Sequence, residues 1–180
     1  MQETNQKKTP IWLQMRNQAS GPEELLALVA HRGNAATPIL ELCRCLGVGL
    51  WDSDMVEGGC LEMNTQSGIA NIRVQRASTR HRKRFTIAHE LAHLMLHEFD
   101  GKIHRDARGY PQILIEHEAS RFAAALLMPE HLVKIVAPLY KYNTSEMAQV
   151  FNVSKEAMAY RFQNIMSGVH DPMRKRRKDG

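Results

Sequence analysis

Residues 89 to 93 read HELAH, and two histidines and a glutamate at that spacing could do a particular piece of chemistry. On a helix, positions i and i+4 lie one turn apart on one face, so His89 and His93 can each offer an imidazole nitrogen to a common ion. Glu90 then stands beside that ion. There a carboxylate can take a proton from an activated water and hand it to a leaving amine. The neighbours Phe85, Ile87, Ala88, Leu91, Ala92, Leu94, Met95 and Leu96 are apolar. The histidine and glutamate edge therefore interrupts a helix otherwise suited to burial, and a buried polar edge needs a reason.

A hydrolytic zinc site takes three protein ligands and keeps a fourth position open. The pattern H-E-x-x-H-x-x-G-x-x-H does not supply the third one, because Leu96 and Phe99 occupy its glycine and last histidine places. His97 continues the i+4 series and is a less favoured ligand candidate, since it lies two turns from His89 and three imidazoles would struggle to converge on one ion. It reads as a surface residue or as a support behind the ligands. A glutamate from a second helix is the alternative, and IEHEASRFAAALLMP offers Glu116 and Glu118. Residues two apart on a helix face different directions, so only one of them can lead. Glu116 has Ser120 one turn later, able to hydrogen-bond a ligand histidine, and is preferred. Glu118 is followed at i+4 by Phe122 and reads as a solvated first-turn carboxylate complementing the helix dipole. The segment EFDGKIHRDARGYPQ between the two helices reads as a surface loop near the site. Its His104, Arg105, Arg108 and Tyr110 are candidate donors to an oxyanion, with nothing to choose among them.

Several elements must position these groups. Ser20, Gly21 and Pro22 start a helix at about Glu23 that runs out near His31 and Gly33. Thr37 and Pro38 form a cap and first turn for ILELCRCL, which Gly47 closes. Three β-like runs follow, VGLW (48–51), CLEM (60–63) and IANIRV (69–74), separated by turn formers and expected as a small antiparallel meander. After the two ligand helices come PEHLVKIV, TSEMAQVF and SKEAMAYRFQNIM, three more helical stretches. The tail VHDPMRKRRKDG is expected to stay disordered. The organisation expected is an extension at 1–20, a core at 21–137, a helical region at 138–168 and a basic tail at 169–180. Ile11 and Trp12 mark a possible docking spot in the extension.

Bulk properties narrow the field. With 180 residues and 43% apolar content, the chain suits one compact domain with a small helical appendage. It has no apolar run of about 18 residues and no secretory signal, so a cytoplasmic protein without a membrane partner is expected. Cys43, Cys45 and Cys60 are odd in number, and the first two share a helix at a spacing that points them apart; they read as apolar thiols rather than a metal or disulfide set. The formal charge of +5 is uneven, concentrated in RHRKR (80–84) and RKRRK (174–178), and permits an acidic partner without requiring one.

RFTIAHELAHLMLH (84–97), E-x-E-A-x-x-F-A-A-x-L-L-M-P (116–129) and A-x-x-F-x-V-S-x-x-A-M-x-x-R-F (148–162) occur here in that order. Together they resemble the ImmA/IrrE family of zinc metallopeptidases, with similarity from about Pro38 to Met166. The resemblance implies an α+β fold, a thermolysin-like minimal metallopeptidase core followed by a helix-turn-helix-like region. It implies zinc on His89, His93 and Glu116, with Glu90 as acid and base. It further implies an anti-repressor that cleaves a co-encoded helix-turn-helix repressor, in a mobile-element, stress-response or toxin-antitoxin setting. Ser120 departs from the asparagine that members often carry, although a hydroxyl can still orient a histidine.

Two rival readings belong to other classes. SEMAQVFNVSKEAMAYRFQNIM itself resembles a helix-turn-helix, with Lys155, Tyr160, Arg161 and Gln163 available for a groove. Ala148, Val150, Phe151, Val153, Met158 and Phe162 can equally pack on the core, so direct DNA binding is possible but not favoured. The other rival is a repressor-binding protein in which zinc is only structural.

Overall fold

The strictest apolar alternation in the chain is in β3 (Ile69–Gln75), where Ala70, Ile72 and Val74 are buried while Ile69 and Arg73 face out. That strand takes the centre of a three-stranded sheet, flanked by β1 (Gly49–Ser53) and β2 (Gly59–Asn64). The computed structural model describes residues 9–19, 21–29, 35–54, 58–64, 67–97 and 112–168. The fold is α+β, as the sequence implied, but the sheet is not a meander. β2 and β3 form an antiparallel hairpin with Leu61 opposite Ile72, whereas β1 runs parallel to β3 with Leu50 opposite Ile72. β3, with one face apolar throughout, is buried between two edges, and β2 is displaced to the far side.

The helices are α1 (Ile11–Gln18), α2 (Pro22–Leu26), α3 (Ile39–Leu46), α4 (Arg80–Leu96), α5 (Gln112–Leu127), α6 (Glu130–Leu139), α7 (Thr144–Phe151) and α8 (Lys155–Met166). α4 lies between the sheet and α5, and its Ile87, Ala88, Leu91, Ala92 and Leu94 are buried in the common core. Thr79 caps it by accepting from the Arg82 N–H.

Four local expectations need correction. The helix foreseen from Glu23 is one short turn-and-a-half, Pro22–Leu26, and its foreseen end at 31–33 lies outside the described residues. Thr37 does not cap α3. Its buried hydroxyl instead donates to the Leu126 carbonyl at 2.7 Å, fastening the start of α3 to the end of α5. The extension contains a helix, α1, in which Ile11 is half exposed but Trp12 is buried in the protein's own core. The Trp12 indole N–H donates to the Gly68 carbonyl at 2.9 Å in the β2–β3 turn, so this side chain is tied to the sheet. The strands also differ at their ends: β1 starts one residue later and ends two later than foreseen, β2 is one residue longer at each end, and β3 ends one residue later.

α7 and α8 pack against each other through a turn at Asn152, which adopts a left-handed conformation (φ 54°). Arg84 of α4 holds that turn. Its Nε donates to the Asn152 carbonyl at 3.1 Å and its Nη2 to the Thr37 carbonyl at 2.8 Å, joining α3, α4 and the α7–α8 turn.

Candidate metal centre

α4 and α5 are close partners, and the crossing brings His89, His93 and Glu116 together. His89 Nε2 lies 3.0 Å from Glu116 Oε2 and 3.0 Å from His93 Nε2, while His93 Nε2 lies 3.6 Å from Glu116 Oε1. Tetrahedral zinc with bonds of 2.0–2.1 Å sets its ligand atoms about 3.3 Å apart. Two imidazole nitrogens and one carboxylate, one nitrogen from each ring turned inward, therefore fit a small divalent cation in both donor type and spacing. No comparable role falls to Glu118.

The ring nitrogens facing away from this cluster are also engaged. Ser120 Oγ lies 3.3 Å from His89 Nδ1, the contact expected from its place one turn after Glu116. His93 Nδ1 lies 2.9 Å from His97 Nδ1. His97 is almost fully buried, so of its two sequence readings the surface one is excluded. It caps the end of α4 in an extended conformation, with its N–H bonded to the His93 carbonyl, and its ring sits on the side of His93 opposite the cluster. Glu118 is not a solvated carboxylate balancing the helix dipole. Its Oε2 lies 3.5 Å from His97 Nε2, because the α4–α5 crossing turns this face of α5 toward the end of α4.

Glu90 is buried beside β2. Loss of hydration pushes its carboxyl up to about 7; the nearby Glu116 charge adds to the rise, and a hydrogen bond from the Leu61 backbone opposes it. β2 reaches this close only because residue 59 is glycine. A Cβ there would collide with Thr86 Cγ2 and stand 3.0 Å from Glu90 Oε1. Neither Gly59 nor the Leu61 backbone was foreseen, since the signal, a Gly-Gly pair ahead of a strand, reads equally well as a plain turn. His104, Arg105, Arg108 and Tyr110, the candidate oxyanion donors, lie outside the described residues. A cavity of about 360 Å³ is lined among others by Phe85, Ser120, Ala124, Met128 and Tyr160; none of the three metal-site residues lines it, although Phe85 and Ser120 also touch His89.

The IrrE N-terminal-like domain model of the Peptidase_M78 family matches residues 49–163. A solved structure described as a Mycobacterium tuberculosis transcriptional regulator aligns with TM-score 0.58 and 19% identity over 83% of this chain. The alignment spans 46% of that regulator, so this chain covers about half of its length, and the likeness is one of fold. No curated protein matches.

Proposed function

This chain belongs to the Peptidase_M78 family of IrrE N-terminal-like domains, and from that premise we propose that it is a zinc-dependent metallopeptidase with a regulatory role. The observation that carries this reading is the inward convergence of His89, His93 and Glu116 next to a buried Glu90. Zinc held by those three side chains would supply Lewis acidity for water activation and carbonyl polarisation.

The chain's own residues do the rest. Glu90, buried beside the three ligand side chains, is placed to accept a proton from the attacking water and to release it to the amine that leaves. The Leu61 N–H fixes its carboxylate, and burial keeps bulk water from competing for the proton. Ser120 steadies His89 from behind.

In this reading, residues 21–137 form the peptidase core, 138–168 a helical region and 169–180 a basic tail, in a cytoplasmic protein. Among the described residues no single helix is long and apolar enough to cross a membrane. The substrate we favour is a co-encoded helix-turn-helix repressor, whose cleavage would release the genes it silences. Direct DNA reading by α8 is disfavoured because Arg161 donates through Nε to the Met128 carbonyl at 3.2 Å, which commits that side chain to the core.

The test is to incubate zinc-loaded protein with the purified neighbouring repressor and map fragments by mass spectrometry, beside Glu90→Gln. Cleavage by the parent alone, with zinc retained in the variant, is the expected result. De-repression in cells that survives Glu90→Gln would instead make the protein a non-catalytic repressor-binding regulator.

A further inference from the structure

We propose that His97, backed by Glu118, is a positioning pair that holds His93 in the orientation and tautomer of a metal ligand. This rests on the reading of His89, His93 and Glu116 as ligands and adds residues that the ligand set does not include. His93 directs Nε2 toward His89 and Glu116, so the bare lone pair must be there and the hydrogen on Nδ1. His97 Nδ1, 2.9 Å away, is placed to accept that hydrogen. In that arrangement His97 is bare at Nδ1 and carries its hydrogen on Nε2, and Glu118 Oε2 stands 3.5 Å from that nitrogen, near enough for an electrostatic contact rather than a hydrogen bond. The tautomer of His93 is thereby set by His97, with a carboxylate behind the outer ring.

Burial makes the arrangement consequential. His93 and His97 are each 1% exposed, so water does not substitute for the contact between them. The two ligand histidines are thus supported differently: His89 by a hydroxyl on α5, His93 by an imidazole at the end of its own helix. Glu116 and Glu118, two residues apart, stand by different rings, Glu116 by His89 and His93 and Glu118 by His97. The end of α4 at His97 matters too, since an extended backbone there lets the side chain turn back onto His93 rather than continue up the helix.

The test is zinc affinity by competition with a chromophoric chelator for the full chain and for His97→Ala, His97→Asn and Glu118→Gln. It is paired with the absorption spectrum of the cobalt-substituted proteins and melting of the zinc-free forms. Removing an outer partner of a ligand histidine typically weakens metal binding by about 10- to 100-fold, and that is the loss expected for His97→Ala. Asn places an amide oxygen where Nδ1 stood and should bring affinity back to within severalfold of the parent. Glu118→Gln, at a partly exposed position that folding tolerates, should weaken zinc measurably and carries the test if His97→Ala does not fold. The cobalt spectrum should keep its four-coordinate intensity in every variant, since no ligand is removed. Parent-like affinity in His97→Ala or in Glu118→Gln, or a cobalt spectrum showing a lost ligand, would overturn the positioning role while leaving the metal site intact. A parent that takes up no zinc would overturn the site itself.

Discussion

Burial beneath β2 makes Glu90, the group we propose as acid and base, a local cost to the fold. Replacing it by Gln should leave zinc binding and structure in place and lower peptidase turnover by about 10²- to 10⁴-fold, the span typical of a lost general base. Its raised carboxyl also gives the metal-free protein a pH signature. The folded state holds a proton that the unfolded chain releases near 4.5, so this group's contribution favours folding at low pH and is lost as pH rises toward about 7. Denaturant melts of the metal-free protein should show that decline, and Glu90→Gln should flatten it. The thiols give a second check: burial pushes Cys43 up to about 12, so a thiol reagent at neutral pH should label the partly exposed Cys45 and Cys60 while leaving Cys43 unmodified until unfolding. At this scale the sequence is most legible where one helix fixes the geometry: HELAH at i and i+4, and Glu116 with Ser120. The His97–Glu118 contact was misread because it depends on how two helices cross, which no spacing within either one reveals.

Among the elements, β2 and α4 are held together at Gly59. Gly59→Ala should destabilise the protein by about 1–3 kcal/mol through overpacking against Thr86, and Thr86→Ala in the same chain should recover most of that loss. Thermal melts of the two single variants and the double one decide it. Arg84 is the corresponding fastening for the α7–α8 turn. Its removal leaves the Asn152 and Thr37 carbonyls without these charged donors, so Arg84→Ala should cost about 2–3 kcal/mol. Hydrogen exchange should show protection falling first in α7 and α8. The strands were legible from alternation and turn formers, but their order was not, since a parallel β1–β3 pair brings together residues over twenty apart with no turn to announce it. α1 went unnoticed as a helix because IWLQMRNQ is half apolar and half polar, and its place is set by packing of Trp12, Leu13 and Met15 on the core and by the Trp12 indole on Gly68.

For the whole molecule, the family match and the α+β architecture agree with the family and fold class that three short motifs implied. The helices after the metal centre matched their sequence boundaries closely because Asn143 and Ser154 cap α7 and α8 with side-chain hydrogen bonds. Those helices add Met147, Phe151 and Met158 to the common core, and Arg161 Nε donates to the Met128 carbonyl at 3.2 Å. Everything in that account depends on one ion. The decisive measurement is zinc content per folded chain after reconstitution and removal of excess metal, for the parent, His93→Ala, Glu116→Gln and Glu118→Gln. The account predicts about one zinc in the parent and in Glu118→Gln, even if more weakly held there, and near none in His93→Ala and Glu116→Gln. A folded parent without zinc, or a Glu116→Gln variant that binds it as tightly as the parent, would contradict it.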